Sequence, residues 1–296
     1  MNSKDERHNA SPHKRYYMEL SHVIKQHREY LQSFAKETSC GAYNHLYSHM
    51  LKRFPEKNLE DFTSQDLFDF LNWLTENRSQ ATKRMRFAQV KAMFNFAITS
   101  LSLNIKNPCT IPLLTNSFRA PKRSPKQLID KEQMDTIIYR TDSLRDRLIL
   151  ELGSRCCMRI GEILKLKGKN VIGTRLTLDQ PKSGKDIETV LMPERVAERL
   201  AQYIREKNIQ SEERIFKISY SGARSMMNKI SKQFGVKLRL HDLRRFGATY
   251  ASRAGVPLEI ISRDLLRHGD LKTSQIYIGA SSQHQTQRWL DTIYER

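Results

Sequence analysis

From about Tyr16, apolar positions recur at three- and four-residue steps: Leu20, Val23, Ile24, His27, Tyr30, Leu31 and Phe34. That period predicts an amphipathic helix. Gly41 reads as a break, and a second helix is predicted from about Ala42 to Phe54, where Pro55 stops it. Thr63 or Ser64 reads as the N-cap of a third helix with Leu67, Phe70, Leu71 and Leu74 on one face. Ser79 opens a fourth, long helix through Met85, Val90, Met93, Phe94, Ala97 and Leu101, whose other face carries Lys83, Arg84, Arg86 and Lys91. Four such helices make a small bundle.

Asn107-Pro108 closes this unit, and the proline- and base-rich stretch 108–125 reads as a linker. Beyond it Asp130 is an N-cap for a helix through Met134, Ile137 and Ile138; a further helix spans about Ser143–Ser154, and another starts near Arg159 and runs through Ile163 and Leu166. The period then changes. Residues 174–178 alternate and 188–192 are β-rich, with the turn signal Pro181-Lys182-Ser183-Gly184-Lys185 between them, which predicts a hairpin. Helical patterns resume at 193–207, 221–234, 241–254, 258–266 and about 273–277. The expected division is a basic arm over 1–15, a helical domain over 16–107, the linker over 108–125 and a second domain over 126–296. The fold class is mainly α with a small β-sheet or hairpin.

Charge narrows the partner. Lys and Arg number 51 against 32 Asp and Glu, a formal +19, which an anionic partner would offset; nucleic acid is the commonest. Cys40, Cys109, Cys156 and Cys157 show no zinc-site spacing. The polar N-terminus lacks a signal-peptide core, and no apolar run has the length of a membrane span. The expectation is a soluble cytoplasmic protein working at the nucleoid, with no membrane partner.

The strongest local signal is His241-Asp-Leu-Arg244-Arg245. Positions three apart share a helix face, so His241 and Arg244 are expected to project together while Leu243 and Phe246 face the core. Alone, such a pair reads as a surface histidine stacked on an arginine. Its context is Met158-Arg159-Ile160-Gly161-Glu162-Ile163-Leu164 and the Lys182 turn upstream, then Leu265-Leu266-Arg267-His268 and Thr273-Ser274-Gln275-Ile276-Tyr277 downstream.

In that order and spacing the chain resembles the tyrosine recombinases, the phage integrase and Xer family. That family has an Arg in a G-[ML]-R-x-x-E-[IL] helix start, a Lys on a β-hairpin, an H-x-L-R box, an L-G-H box and a Tyr nine residues after the last His. Arg159, Lys182, His241 with Arg244, His268 and Tyr277 match it, and Glu162 falls on its acidic position. Two glycines of the pattern are replaced, by Cys157 before Arg159 and by Arg267 before His268.

The resemblance implies an N-terminal core-binding, SAM-like bundle and a C-terminal α+β catalytic domain. It implies a site-specific recombinase or integrase that cleaves and rejoins DNA through a covalent 3′-phosphotyrosyl intermediate, using neither metal nor ATP and no cofactor. Tyr277 is then the nucleophile, and Arg159 and Arg244 hold the phosphate as planar forks. His241 exchanges the phenolic proton, Lys182 protonates the leaving oxygen with Lys185 as fallback, His268 hydrogen-bonds the phosphate, and Glu162 orients Lys182 or His241. Expected DNA contacts are Lys83, Arg84, Arg86, Lys91, Lys185, Arg245 and Arg267. The implied partner is double-stranded DNA with paired recombination sites, bound by four protomers that are monomers when free. Trp289, Leu290 and Ile293 form an apolar stripe that packs either on its own domain or on a neighbouring protomer. The arm is too short for a separate arm-site domain, which favours a compact Xer-like or mobile-element recombinase. Two alternatives stay open: a recombinase-derived DNA-binding protein that has lost catalysis, and a type IB topoisomerase-like nicking-closing enzyme.

Overall fold

The structure is a computed structural model that describes residues 17–120, 129–179 and 187–278. The arm, Lys182, Lys185 and the Trp289 stripe lie outside the described residues. The chain divides into two compact units, Met1–Ser124 and Pro125–Arg296.

The first unit is helical: α1 Leu20–Phe34, α2 Glu37–Arg53, α3 Ser64–Leu74, α4 Gln80–Ser100 and α5 Pro112–Ser117. Their apolar faces bury Leu20, Val23, Ile24, Leu46, Tyr47, Met50, Phe70 and Phe94 in one core. Thr63 caps α3 in a reciprocal box with Asp66, and Ser79 caps α4, so both starts fall where the side chains satisfy orphan N–H groups. Gly41 does not break the chain. The break falls at Ala35-Lys36, both extended, and Gly41 sits inside α2 with open space around it. Nor is 108–118 a linker: Pro108 and Pro112 each open a helical turn, a position where a missing N–H costs nothing, and Cys109, Leu114 and Phe118 join the core. On α4, Val90, Met93, Phe94 and Ala97 are buried as expected, Phe87 and Phe96 join them, and Met85 is exposed.

The second unit runs α6 Lys131–Tyr139, α7 Leu144–Ser154, α8 Ile160–Ile163, β1 Val171–Ile172, β2 Arg175–Asp179, β3 Ile187–Leu191, α9 Glu194–Glu206, α10 Tyr220–Gln233, α11 Leu240–Arg253, α12 Leu258–Ile260 and α13 Leu271–Ile278. The strands form an antiparallel sheet in the order β1-β2-β3, with Leu178 opposite Glu188. Asp130 and Ser143 cap α6 and α7. The helix opened by Arg159 stops at Ile163, short of the expected Leu166. Core residues of α7, the sheet, α9, α10 and α11 form one cluster, and Cys157, Ala248, Ile261 and Leu266 form a smaller one beneath the candidate site.

Two backbone features place that site. First, α11 crosses α7 at Gly247: a β-carbon there would overlap the Ser154 carbonyl oxygen and lie 2.6 Å from Cys157 Sγ. Second, α12 runs into a π-helical turn over Ile261–Leu265, and π turns often mark functional sites. It ends with Arg267 at φ +49, while Cys157, which follows α7, has φ +51. Both are left-handed positions at helix ends, where glycine is the ordinary choice because it has no β-carbon to strain. The family's two glycines therefore correspond to a backbone requirement, and this chain meets it with side chains, at a cost on the order of 1–2 kcal/mol each.

Candidate active site

Arg244 is the largest fully buried side chain among the described residues, 1% exposed. Its Nη1 donates to the Cys157 carbonyl and its Nη2 to the Leu266 carbonyl, while Nη2 also lies 3.3 Å from His268 Nε2. One guanidinium thus joins the end of α7 to the end of the π turn. On α11 His241 is exposed, while Arg244 is buried along with Leu243 and Phe246. A hydrophobic period cannot say on which side of the buried stripe a charged residue falls.

His268 is half-buried. Its Nδ1 is 2.9 Å from Ser274 Oγ, which itself donates to Ser262 Oγ at 2.8 Å, so Ser274 accepts the Nδ1 proton. Guanidinium has no acceptor, so Nε2 offers its lone pair toward Arg244. Burial first, then the charges of Arg244, Arg159, Arg267 and His241, lower the His268 pKa to about 4, and the imidazole is neutral at pH 7. The four charges that act on His268 bring the Arg159, His241 and Arg244 motifs around one imidazole. In this arrangement the His268 ring lies between Ser274 and Arg244.

Arg159 stands at the N-terminus of α8. Its Nη1 donates to Glu162 Oε1 at 2.6 Å and its own backbone N–H to Glu162 Oε2 at 2.9 Å. Glu162 therefore orients Arg159; the expected pairing with Lys182 lies outside the described residues. Burial works to raise the Glu162 pKa, but the Arg267 charge and the Arg159 hydrogen bonds outweigh it, and the carboxyl is held below its usual range.

Arg267 is not a DNA-facing surface group. Its side chain is 4% exposed, with Nη2 donating to Glu162 Oε2 at 2.7 Å and Nη1 to the Leu265 carbonyl at 2.9 Å. Arg86 is also engaged internally, donating to the Ala42 carbonyl at 2.7 Å and to Gln89 at 3.0 Å. Of the remaining basic candidates, Arg84 is exposed and Lys83, Lys91 and Arg245 are half-buried.

Tyr277 lies in the last turn of α13, which packs on α11 and carries the buried Ser274 three residues earlier. Sequence reasoning gave no role to Ser262, Ser274 or Glu188. Only Glu188 left a trace, as the one acid in the β-rich run 188–192. Among the described residues no group of three or more His, Cys, Asp or Glu is arranged to hold a metal ion, and no helix is long and apolar enough to cross a membrane.

Comparison with known proteins shows the family and the fold. The model of the phage integrase family matches residues 127–284. The chain is 26% identical to the tyrosine recombinase XerA of Pyrococcus furiosus over 277 residues, covering 89% of this chain and 91% of that one. It is 24% identical to a tyrosine recombinase of Pseudothermotoga lettingae, covering 77% and 81%. In fold it resembles the Tn1549 transposon integrase in complex with a circular intermediate DNA, with a TM-score of 0.74 at 15% identity over 93% of this chain and 99% of that one. It also resembles the lambda integrase dimer bound to a COC′ core site, with a TM-score of 0.69 at 18% identity over 88% and 96%. The chain belongs to the phage integrase family, the tyrosine-type site-specific recombinases.

Proposed function

We propose that the chain cuts and rejoins double-stranded DNA through a 3′-phosphotyrosyl bond at Tyr277. The observation that carries this is Arg244, a buried guanidinium fastened to backbone on two sides and set 3.3 Å from His268, an imidazole on which the Arg159 charge also acts.

Displacement at a phosphodiester passes through a phosphorane with added negative charge on its non-bridging oxygens. Arg159 and Arg244 supply preorganised donors to those oxygens, each worth roughly 3–4 kcal/mol in comparable sites. The Tyr277 oxygen attacks phosphorus, its proton passes to His241, and the 5′-oxygen leaves with a proton from Lys182, Lys185 being the fallback donor. One phosphodiester is exchanged for another, so religation to a second 5′-hydroxyl draws on the same bond energy without ATP. Lys83, Arg84, Lys91 and Arg245 are the candidates for phosphate contacts that position the duplex. The solved lambda integrase tetramer bound to a Holliday junction supports four protomers acting on paired sites.

The target is recovered by selecting duplexes from a random-sequence pool with Tyr277→Phe. It is then rebuilt as a nicked suicide duplex. The expected result is an SDS-resistant adduct on the 3′-phosphate side, absent in Tyr277→Phe. Tight binding without an adduct would identify a DNA-binding module, and relaxation without strand exchange a topoisomerase.

A further inference from the structure

Arg267 occupies a left-handed position that favours glycine, yet its side chain is buried rather than displayed. It is held from two sides. Nη2 donates to Glu162 Oε2 at 2.7 Å, and Nε lies 3.4 Å from Glu188 Oε2 on β3, close enough for an ion pair though not aligned as a hydrogen bond. Glu162 also receives Arg159 Nη1, through its other oxygen, at 2.6 Å. The result is an alternating row, Glu188–Arg267–Glu162–Arg159, in which two guanidinium groups share one carboxylate.

The row is electrically neutral only with Arg267 in it. Without that cation, Glu188 and Glu162 would leave two carboxylates against the single charge of Arg159, in a setting of low dielectric where such imbalance acts strongly. Glu162, still held by the Arg159 backbone N–H and by Nη1, would lose the cation that shares its charge and would claim more of that of Arg159. Neither effect needs Arg267 to touch DNA.

We propose that Arg267 is a positioning residue for strand cleavage: through Glu162 it sets the direction and the available charge of the Arg159 guanidinium, with Glu188 as its anchor. This rests on the reading that Arg159 offsets charge on the scissile phosphate, and it gives the replaced glycine a function specific to this chain.

The test uses the full chain and the suicide duplex in two forms, one with the natural scissile phosphodiester and one with a methylphosphonate there. The methylphosphonate lacks the charged oxygen, so an arginine that offsets that charge becomes dispensable. Arg267→Gly, which suits the left-handed backbone, is expected to slow single-turnover cleavage of the phosphodiester about 10- to 100-fold, the scale of a small misplacement of a reacting group. On the methylphosphonate its defect is expected to shrink to within about threefold, as is that of Arg159→Ala. Arg267→Lys keeps the charge but not the two-sided grip, and serves the same comparison if the glycine variant melts too low to assay.

A phosphodiester rate equal to the parent's in both variants overturns the proposal. So does a defect of equal size on both duplexes, which would mark a purely structural loss. If Arg159→Ala behaves as expected and the Arg267 variants do not, only this inference fails. If Arg159→Ala cleaves the phosphodiester at full rate, the reading beneath it fails as well.

Discussion

Replacing Arg244 with alanine removes a side chain that braces the fold and that, on the proposed function, also serves the chemistry. The structural part can be worked from its partners. The carbonyls of Cys157 and Leu266 both lose a donor in a buried setting. Each orphaned group costs about 1–3 kcal/mol, and water entering the vacated space recovers part of the sum. We expect a net loss of about 2–4 kcal/mol. In a unit of this size each kcal/mol moves the melting temperature by about 2–4 °C, so Arg244→Ala should melt roughly 4–16 °C lower. Cleavage, measured as single-turnover adduct formation at a temperature where both proteins are folded, should fall by about 10²–10³-fold, the scale of losing one preorganised donor. Arg244→Lys restores the charge but a single ammonium cannot span both carbonyls, so it should recover little of either quantity. A melting temperature within about 2 °C of the parent, less than the shift of one kcal/mol, would refute the bridging argument. Near-parental cleavage would refute the catalytic one.

Gly247→Ala should destabilise by about 1–3 kcal/mol despite the better helix propensity of alanine. The added methyl meets the Ser154 carbonyl and Cys157 Sγ, and the check is a denaturant melt. Ser274→Ala removes the acceptor for His268 Nδ1; it should cost about 1 kcal/mol and slow cleavage, and Ser274→Thr, which keeps a hydroxyl, should restore part of the rate. His268 and the buried His27 both have folded pKa values lowered to about 4. Each therefore binds fewer protons in the folded than in the unfolded chain between about pH 4 and 6.5. Their contribution to stability is fully present above about pH 6.5 and lost as pH falls toward 4. Melts across that range should show it, and flat stability between those limits would contradict both assignments.

The helix starts were legible because their chemistry is local: Thr63, Ser79, Asp130 and Ser143 each hold an N–H within three residues. Gly41 and the prolines of 108–118 were misread because the same residues serve both as breaks and as well-tolerated helix members, and only packing decides. At the site, the order of the motifs was readable but their burial was not. Arg244 and Arg267 carry the charge expected of DNA-facing groups, and only the three-dimensional course of the π turn and of β3 turns them inward. The pairing of Glu188 with Arg267 spans 79 positions, a separation at which no periodicity speaks.

Cys157, Arg267 and Gly247 separate two reasons for a glycine near this site. The first two positions demand a dihedral angle, and a residue with a β-carbon can meet that demand when its own contacts offset the strain. The third demands volume: where two helices nearly touch, no contact made by a new side chain can compensate for the space it occupies. The site is therefore open to sequence change at its turns and closed to it at its helix crossing, and new side-chain chemistry can enter the site's rim only through the turns.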